Sequence, residues 1–155
     1  MASAWAARTT APRYDAVQVL EWFEYNYKSL VRHRLVCTGT TGRLIEEVLQ
    51  RKLGEEHFDY HIEQPKSGPL GGDQQLGAMI TERKIDAVIL LWDPMQPHPH
   101  DVDVKALLRI AALYNVPIAC NRAAADFLMS APLRDETYVP MHQGYRSYTE
   151  RPVDL

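Results

Sequence analysis

The chain has 155 residues, of which 46% are hydrophobic and 24% are charged, and its formal net charge is −3. This composition is typical of a globular domain with a sizeable core, and it disfavours binding to nucleic acid or to an anionic membrane through a basic surface. No apolar stretch reaches the roughly 18 residues that a membrane span needs.

The first half of the chain alternates helical and strand-like patterns. Apolar residues at helical spacing predict a helix over 14–31, and a short apolar run predicts a strand over 34–37. A second helix is predicted over 43–53, with Gly54 as its stop. A weakly marked strand follows within 57–64.

The second half continues the alternation. Its continuous apolar run over 87–91 suits the buried centre of a parallel sheet. The predicted elements are a helix over 71–83, a strand over 85–92, a helix from Asp101 or Asp103 to about 115, a strand over 116–120, a helix over 122–129 capped by Asn121, and a last strand over 137–139. The pattern predicts a single-domain α/β fold, a Rossmann-like doubly wound sandwich with a mainly parallel central sheet.

The two ends of the chain are less clearly patterned. Residues 1–13 are rich in Ala, Ser and Thr, they lack the apolar core of a secretory signal, and residues 3–11 make a poor strand. We therefore expect an atypical or poorly ordered segment over 1–13, an α/β domain over 14–140 and a tail over 141–155.

The two cysteines, Cys37 and Cys120, each end an apolar run. Two cysteines are too few for a disulfide framework, so we expect buried free thiols in a reducing compartment, the cytoplasm.

The segment Thr38-Gly39-Thr40-Thr41-Gly42 lies between a predicted strand and a predicted helix. Its glycines let the backbone approach an anion, and threonine hydroxyls and helix N-terminal N–H groups donate to one. An ordinary strand–helix turn is the alternative interpretation. The chain has neither a P-loop lysine at this segment nor a Gly-x-Gly-x-x-Gly motif, so a nucleotide is not favoured.

A second glycine-rich segment runs from Ser67 to Gln75. Ser67 and Gly68 supply further donors for an anion. Asp73 follows two glycines, and the composition of this segment supports two interpretations of Asp73 equally. It is either a helix N-terminal residue favoured by the helix dipole, or a general base exposed by the glycines.

A cluster of histidine and aspartate follows the predicted strand over 85–92. His98, His100, Asp101 and Asp103 suggest a metal site, but adjacent His/Asp pairs rarely face one ion, so we expect no metal. His100 held by Asp101 or Asp103 and presented to a pocket fits better, with a surface loop and helix cap as the alternative. Asp93 is either a turn former before a proline or a site carboxylate.

Taken together, these motifs resemble the methylglyoxal synthase family over roughly residues 33 to 130. The Gly-Gly-Asp and Pro-His-Asp segments are specific in combination and in order. The matching segments are 38–42, 67–78, 84–89, 92–94, 99–109, 115–121 and 125–127.

The resemblance implies a lyase that converts dihydroxyacetone phosphate into methylglyoxal and inorganic phosphate, without a metal or an organic cofactor. It implies that Asp73 is the base, that His100 holds the substrate oxygens and moves protons, and that Asp103 and Asp93 support the site. The residues implied to hold the phosphate are Thr38, Gly39, Thr40, Thr41, Gly42, Ser67 and Gly68. The resemblance also implies a homohexamer, with phosphate as product and candidate inhibitor.

The chain departs from the family at its start. The family has a first strand that ends in Ala-His-Asp, with a lysine four residues after the histidine, and an ungapped count places Pro12 and Ala16 at those two positions. Arg13, Lys52 and Lys66 are the basic residues that could substitute for the lysine.

These departures keep a second function open. A non-catalytic module of the same superfold, like the allosteric domain of carbamoyl-phosphate synthetases, would bind a phosphorylated metabolite without turning it over. The replaced histidine and lysine favour the module, whereas Asp73, His100 and Asp103 favour the enzyme.

Overall fold

The structure is a computed structural model that describes residues 4–9, 14–54, 60–95, 101–136, 138–141, 144–145 and 150. Within these ranges the strands are β1 (Ala4–Thr9), β2 (Arg34–Cys37), β3 (Ile62–Glu63), β4 (Ala87–Leu91) and β5 (Ile118–Ala119). The α-helices are α1 (Tyr14–Leu30), α2 (Gly39–Leu53), α3 (Gly72–Thr81), α4 (Asp101–Leu113) and α5 (Arg122–Ser130). Short 3₁₀ turns lie at Gly68–Leu70 and Pro132–Asp135. None of the described helices has the length and apolar character to cross a membrane.

The described strands form one sheet in the order β3-β2-β1-β4-β5, and every pairing between them is parallel. The chain steps outward from β1 to β3 and then returns to the other side of β1 to place β4 and β5. The predicted doubly wound parallel sheet is therefore confirmed. In such sheets the ligand crevice lies at the carboxyl ends of the strands where the order reverses, which here is between β1 and β4.

The first strand corrects the sequence analysis. Residues 3–11 were expected to make a poor strand, and this prediction is wrong, because Ala4–Thr9 pairs with β2 on one side and β4 on the other. Alanine has a low strand propensity, but strand propensity depends strongly on packing context. Here Trp5 is buried on one face of the sheet and Ala6 on the other, and this packing outweighs the weak local preference.

Alternate residues of the strands pack into two cores. In β4, Ala87, Ile89 and Leu91 belong to the core that includes side chains of α1, α2 and α5, whereas Val88 and Leu90 belong to the core that includes α3 and α4. The strand is buried along its whole length, as its apolar run predicts. The sheet is thus the middle layer of a three-layer α/β/α sandwich.

Polar contacts tie together the amino ends of the strands, at the edge we call the amino edge. Ala4 N–H donates to Asp86 Oδ2 at 2.6 Å, and Asp86 N–H donates to the Ala4 carbonyl at 2.8 Å. Arg34 pairs with Glu63 at 3.2 Å and also donates to the Lys84 carbonyl at 2.6 Å. These contacts join β1 and β2 to β3 and to the turn before β4.

Several element boundaries differ from the predicted ones. Helix α2 begins at Gly39 rather than at 43, so the segment 38–42 is not a loop but the N-terminus of a helix, with Thr38 at the N-cap position. Gly42 N–H already donates to the Thr38 carbonyl at 2.8 Å, which is the first helical hydrogen bond. Of the last predicted strand, Thr137 lies outside the described residues, and residues 138 and 139 form no strand.

Two predicted helix ends are confirmed. Gly54 ends α2 with a positive φ of 51°. The Asn121 side chain caps α5 by accepting a hydrogen bond from Ala124 N–H at 2.9 Å.

The segment between β3 and α3 passes directly against the first residue of α3. A β-carbon at Gly72 would overlap the Lys66 carbonyl oxygen and would lie 2.8 Å from its carbonyl carbon. Gly71, just before it, has a φ of 94°, which is in the left-handed region that glycine adopts readily. The two glycines therefore allow the chain to turn sharply and to pack backbone against backbone.

The variant Gly72→Ala tests this close contact. We expect it to lower the free energy of unfolding by about 1–3 kcal/mol, because the added methyl group forces the 66–67 backbone away. The matched control is Gly77→Ala in the interior of α3, where the nearest atom to the new methyl group is Leu107 Cδ2 at 3.9 Å. This control should be more stable than the unmodified protein by up to about 1 kcal/mol. Urea unfolding measures both, and equal stabilities would contradict the contact.

His33 is a buried titratable group directly before β2. Its ring stacks at a tilt on Trp5, with 5.5 Å between the centroids, and its Nε2 lies 3.8 Å from Asp135 Oδ1. Burial lowers the pKa of His33, and the Asp135 carboxylate offsets only part of that effect. Between this lowered pKa and about pH 6.5, the unfolded chain therefore binds more protons at His33 than the folded chain does.

The sign of this linkage gives a second prediction. The free energy of unfolding should fall as the pH drops below about 6.5, by at most about 1.4 kcal/mol per pH unit for one proton. Above about pH 6.5, His33 should contribute no pH dependence to the free energy of unfolding. His33→Leu should reduce the slope, whereas Gln50→Leu, which replaces an exposed side chain that does not titrate, should leave it unchanged. Urea unfolding from about pH 5 to 8 measures the slope, and a His33→Leu slope like that of the unmodified protein would count against the linkage.

Candidate active site

The N-terminus of α2 forms the first part of the site. The N–H groups of Gly39, Thr40 and Thr41 precede the first helical hydrogen bond, so the helix itself provides no acceptor for them. Thr38 and Thr41 are only 4% and 2% exposed. Such a helix N-terminus favours an anion through its N–H groups and its dipole.

Ser67 and Gly68 lie beside this helix N-terminus. A β-carbon at Gly39 would be 3.2 Å from Ser67 N, and Gly39 N–H donates a long hydrogen bond of 3.5 Å to the Lys66 carbonyl. The structure therefore brings together the two donor-bearing segments, 38–42 and 67–68, which are far apart in sequence. We call these two segments the donor wall.

Asp73 lies in the first turn of α3 and is only 3% exposed. The backbone of Ser67 leads into this turn, since its carbonyl accepts hydrogen bonds from Leu70 N–H and Gly72 N–H at 2.9 and 3.0 Å. The helix dipole favours the charged form of a carboxylate at this position. The structural interpretation of Asp73, a helix N-terminal residue, is thus confirmed, and its role as a base stays a prediction.

Asp103 lies in the first turn of α4 and is linked to α3 by a side-chain hydrogen bond. Gln74 Nε2 donates to Asp103 Oδ1 at 2.7 Å. The two carboxylates line the same cleft of about 220 Å³ between the two helices, together with Gln74, Gly77, Ala106, Leu107 and Ile110. Apart from Gln74, the remaining lining residues are apolar, and charge interactions act more strongly in surroundings of low polarity.

Asp93 follows β4, at the edge where the strand order reverses. Its Oδ1 accepts a hydrogen bond from Met95 N–H at 2.8 Å. This bond is typical of a turn formed by an aspartate side chain, which is the first of the two interpretations of Asp93. A role for Asp93 in the site stays a prediction.

Several residues of the sequence analysis lie outside the described residues, namely Pro12, Arg13, His98 and His100. Ala16 belongs to α1. Asp101 begins α4, and its Oδ1 is buried without a hydrogen-bond partner among the described residues. Whether His100 is held by Asp101 or by Asp103 therefore stays a prediction.

The two described basic candidates, Lys52 and Lys66, lie at different places. Lys52 is in the last turn of α2 and pairs with Glu24 at 2.7 Å. It follows Gly39 by 13 residues, which is about 20 Å along a helix, so it is far from the donor wall. Lys66 instead precedes Ser67 directly and is exposed.

Both cysteines are free, as predicted, but only Cys37 is buried, and the predicted burial is wrong for Cys120, which is half-buried. Burial raises the pKa of Cys37 to about 12 and also raises the pKa of Cys120. Nucleophilic attack needs the thiolate, so neither thiol is poised for covalent chemistry. Among the residues that the structure describes, no group of three or more His, Cys, Asp or Glu side chains is arranged to hold a metal ion.

The sequence analysis attached no role to Gln74 and Gln75. Gln74 reaches Asp103, and Gln75 Oε1 accepts a hydrogen bond from Lys66 N–H at 2.8 Å. The sequence shows that both glutamines directly follow Asp73 on a predicted helix. Successive helical side chains point about 100° apart, so the two glutamines must face different neighbours. Which partners they reach depends on the neighbouring helix and loop, and these are set by the tertiary structure.

Comparison with known proteins identifies the family to which this chain is similar. A family described as "MGS-like domain" matches residues 18–120, which include the donor wall and both carboxylates. The methylglyoxal synthase of Maridesulfovibrio salexigens is 50% identical over 138 residues, covering 86% of this chain and 88% of that protein. The methylglyoxal synthase of Proteus mirabilis is 47% identical over 130 residues, covering 82% of this chain and 80% of that protein.

A solved structure extends the likeness to the fold. The crystal structure of methylglyoxal synthase from Elizabethkingia anophelis matches with a TM-score of 0.85 and 38% sequence identity, covering 99% of this chain and 93% of that one. The sequence and structural matches therefore agree, and this chain belongs to the methylglyoxal synthase family.

Proposed function

We propose that this chain is a carbon–oxygen lyase that converts dihydroxyacetone phosphate into methylglyoxal and inorganic phosphate at the carboxyl edge of its sheet. The observation that carries the proposal is the placement of a buried carboxylate, Asp73, next to the donor wall. This placement occurs in a chain that is 50% identical to a methylglyoxal synthase over most of its length.

The chemistry needs a base and a place for negative charge. In the proposed reaction, the Asp73 carboxylate removes a proton from the hydroxyl-bearing carbon next to the substrate carbonyl, and an enediolate forms. The C–O bond to phosphate then breaks, and the phosphate leaves with the bonding electrons. The resulting enol takes up a proton at carbon and becomes methylglyoxal, so the atoms balance without an oxidant or a reductant.

The donor wall is proposed to hold the phosphate. Helix N-terminal N–H groups and hydroxyls stabilise a phosphate both when it binds and when it gains charge on leaving. The residues in this role are Thr38, Gly39, Thr40, Thr41, Gly42, Ser67 and Gly68. Lys66 is the described candidate for an additional cation there.

The proposed supporting residues are His100, Asp103 and Asp93. His100, which lies outside the described residues, would hold the substrate oxygens and move protons between them. Asp103 would orient these groups from the first turn of α4, on the opposite side of the cleft from Asp73. Asp93 would contribute through the turn after β4.

The alternative function, a regulatory module that binds a phosphorylated metabolite without turnover, has weaker support. The chain covers 80–88% of the length of the two synthases compared above, and it keeps both carboxylates at one cleft. A homohexamer, inhibition by phosphate, a cytoplasmic location and a separate tail from residue 141 stay predictions.

Asp73→Asn tests the proposed base. With dihydroxyacetone phosphate as substrate, we expect kcat for methylglyoxal and phosphate release to fall by about 10²- to 10⁴-fold, because the amide cannot accept the proton. Colorimetric assays of both products measure the effect.

The matched control is Asp126→Asn on α5. Its side chain accepts a hydrogen bond from Trp22 Nε1 at 2.7 Å, and an asparagine oxygen can still accept this bond. We expect the control to keep its kcat and both variants to keep their thermal midpoints within a few degrees, since about 1 kcal/mol shifts the midpoint by a few degrees. Full activity of Asp73→Asn would refute the base assignment. Binding of the substrate by the unmodified protein without turnover would favour the regulatory module.

A further inference from the structure

Two neighbouring glutamines follow the proposed base and reach in different directions. Gln74 donates to the Asp103 carboxylate on α4 at 2.7 Å. Gln75 accepts from the backbone N–H of Lys66 at 2.8 Å, one residue before the Ser67 end of the donor wall. The first turn of α3 thus contacts both the Asp103 carboxylate and the backbone next to Ser67.

The chemistry of the partners sets the orientation of both side-chain amides. A carboxylate oxygen only accepts hydrogen bonds, so Gln74 must present its NH₂ group to Asp103. A backbone N–H only donates, so Gln75 must present its carbonyl oxygen to Lys66. The two amides are therefore not interchangeable, and each has a single productive orientation.

Both glutamines are exposed, so core packing does not explain their conformations. Exposed glutamine side chains keep considerable rotamer freedom, and fixing one costs on the order of 1–2 kcal/mol. A hydrogen bond to a charged group is one of the few surface interactions strong enough to offset such a cost. The Gln74–Asp103 bond is of this kind, and it links α3 to α4.

We propose that Gln74 and Gln75 are positioning residues with separate effects on the reaction. Gln74 orients the Asp103 carboxylate across the cleft from Asp73, and Gln75 holds the Lys66–Ser67 backbone against the N-terminus of α2. This inference rests on the proposed function, since Asp103 acts in the chemical step and Ser67 acts in phosphate binding.

The two roles make different kinetic predictions. Gln74→Met removes the donor at nearly constant size, so kcat should fall about tenfold while KM stays within about twofold. Gln74→Glu should lower kcat further, because a second carboxylate would face Asp103 without a hydrogen to donate. Gln75→Met should raise KM about fivefold and leave kcat nearly unchanged, because the phosphate-side backbone loosens.

The experiment measures kcat and KM for these three variants and for Gln50→Met, an exposed control near the C-terminal end of α2. It also measures Gln74→Met in an Asp103→Ala background, where it should have no further effect on kcat if Gln74 acts through Asp103. The control should match the unmodified enzyme. Additive effects of Gln74→Met and Asp103→Ala, or equal changes in kcat and KM for the two glutamine positions, would overturn the proposal.

Two measurements without turnover separate this inference from the proposed function. Calorimetric titration with inorganic phosphate should show weaker binding for Gln75→Met and unchanged binding for Gln74→Met. Urea unfolding should show coupling between Gln74→Met and Asp103→Ala. An inactive unmodified protein would refute the proposed function. Unaltered phosphate binding by Gln75→Met together with an absent Gln74–Asp103 coupling would refute the positioning roles.

Discussion

The backbone contact between Gly72 and the Lys66 carbonyl is the constraint on which the site depends. It brings the 66–68 backbone under the first turn of α3, and the same backbone touches Gly39 at the start of α2. Without this contact, Ser67 would not lie beside the donor-bearing helix N-terminus, and Gln75 could not reach Lys66 N–H. A methyl side chain at position 72 would prevent this contact, so the arrangement of the site requires glycine there.

The parallel direction of the sheet supplies the electrostatic setting. Each strand leads to a helix that begins at the carboxyl edge, so the N-termini of α2, α3 and α4 lie at the same edge of the molecule. Each N-terminus carries the positive end of a helix dipole. Their combined field suits a phosphate, and it also stabilises carboxylates in the first turns, where Asp73 and Asp103 are found. Anion binding and first-turn carboxylates are therefore compatible in one small site.

The sequence predicts the secondary structure and the sheet better than it predicts the contacts between elements. The buried run over 87–91, the Asn121 cap and the doubly wound order follow from local patterns, and the structure confirms them. The strand β1 could not be predicted, because its alanines are stabilised by two neighbouring strands rather than by their own propensity. The start of α2 at Gly39 was missed since Gly and Thr are weak helix formers, although they suit a helix N-terminus. The links made by Gln74 and Gln75 depend on contacts between elements, which periodicity does not contain.

The polar contacts at the amino edge have a consequence for how this fold can change. Arg34, Asp86 and Ala4 join the strands at the end of the sheet opposite to the proposed site. The anchoring of the scaffold and the chemistry of the site therefore depend on different residues, separated by the length of the strands. A fold built in this way can exchange its carboxyl-edge loops, and with them its substrate, while its amino edge continues to hold the sheet in register.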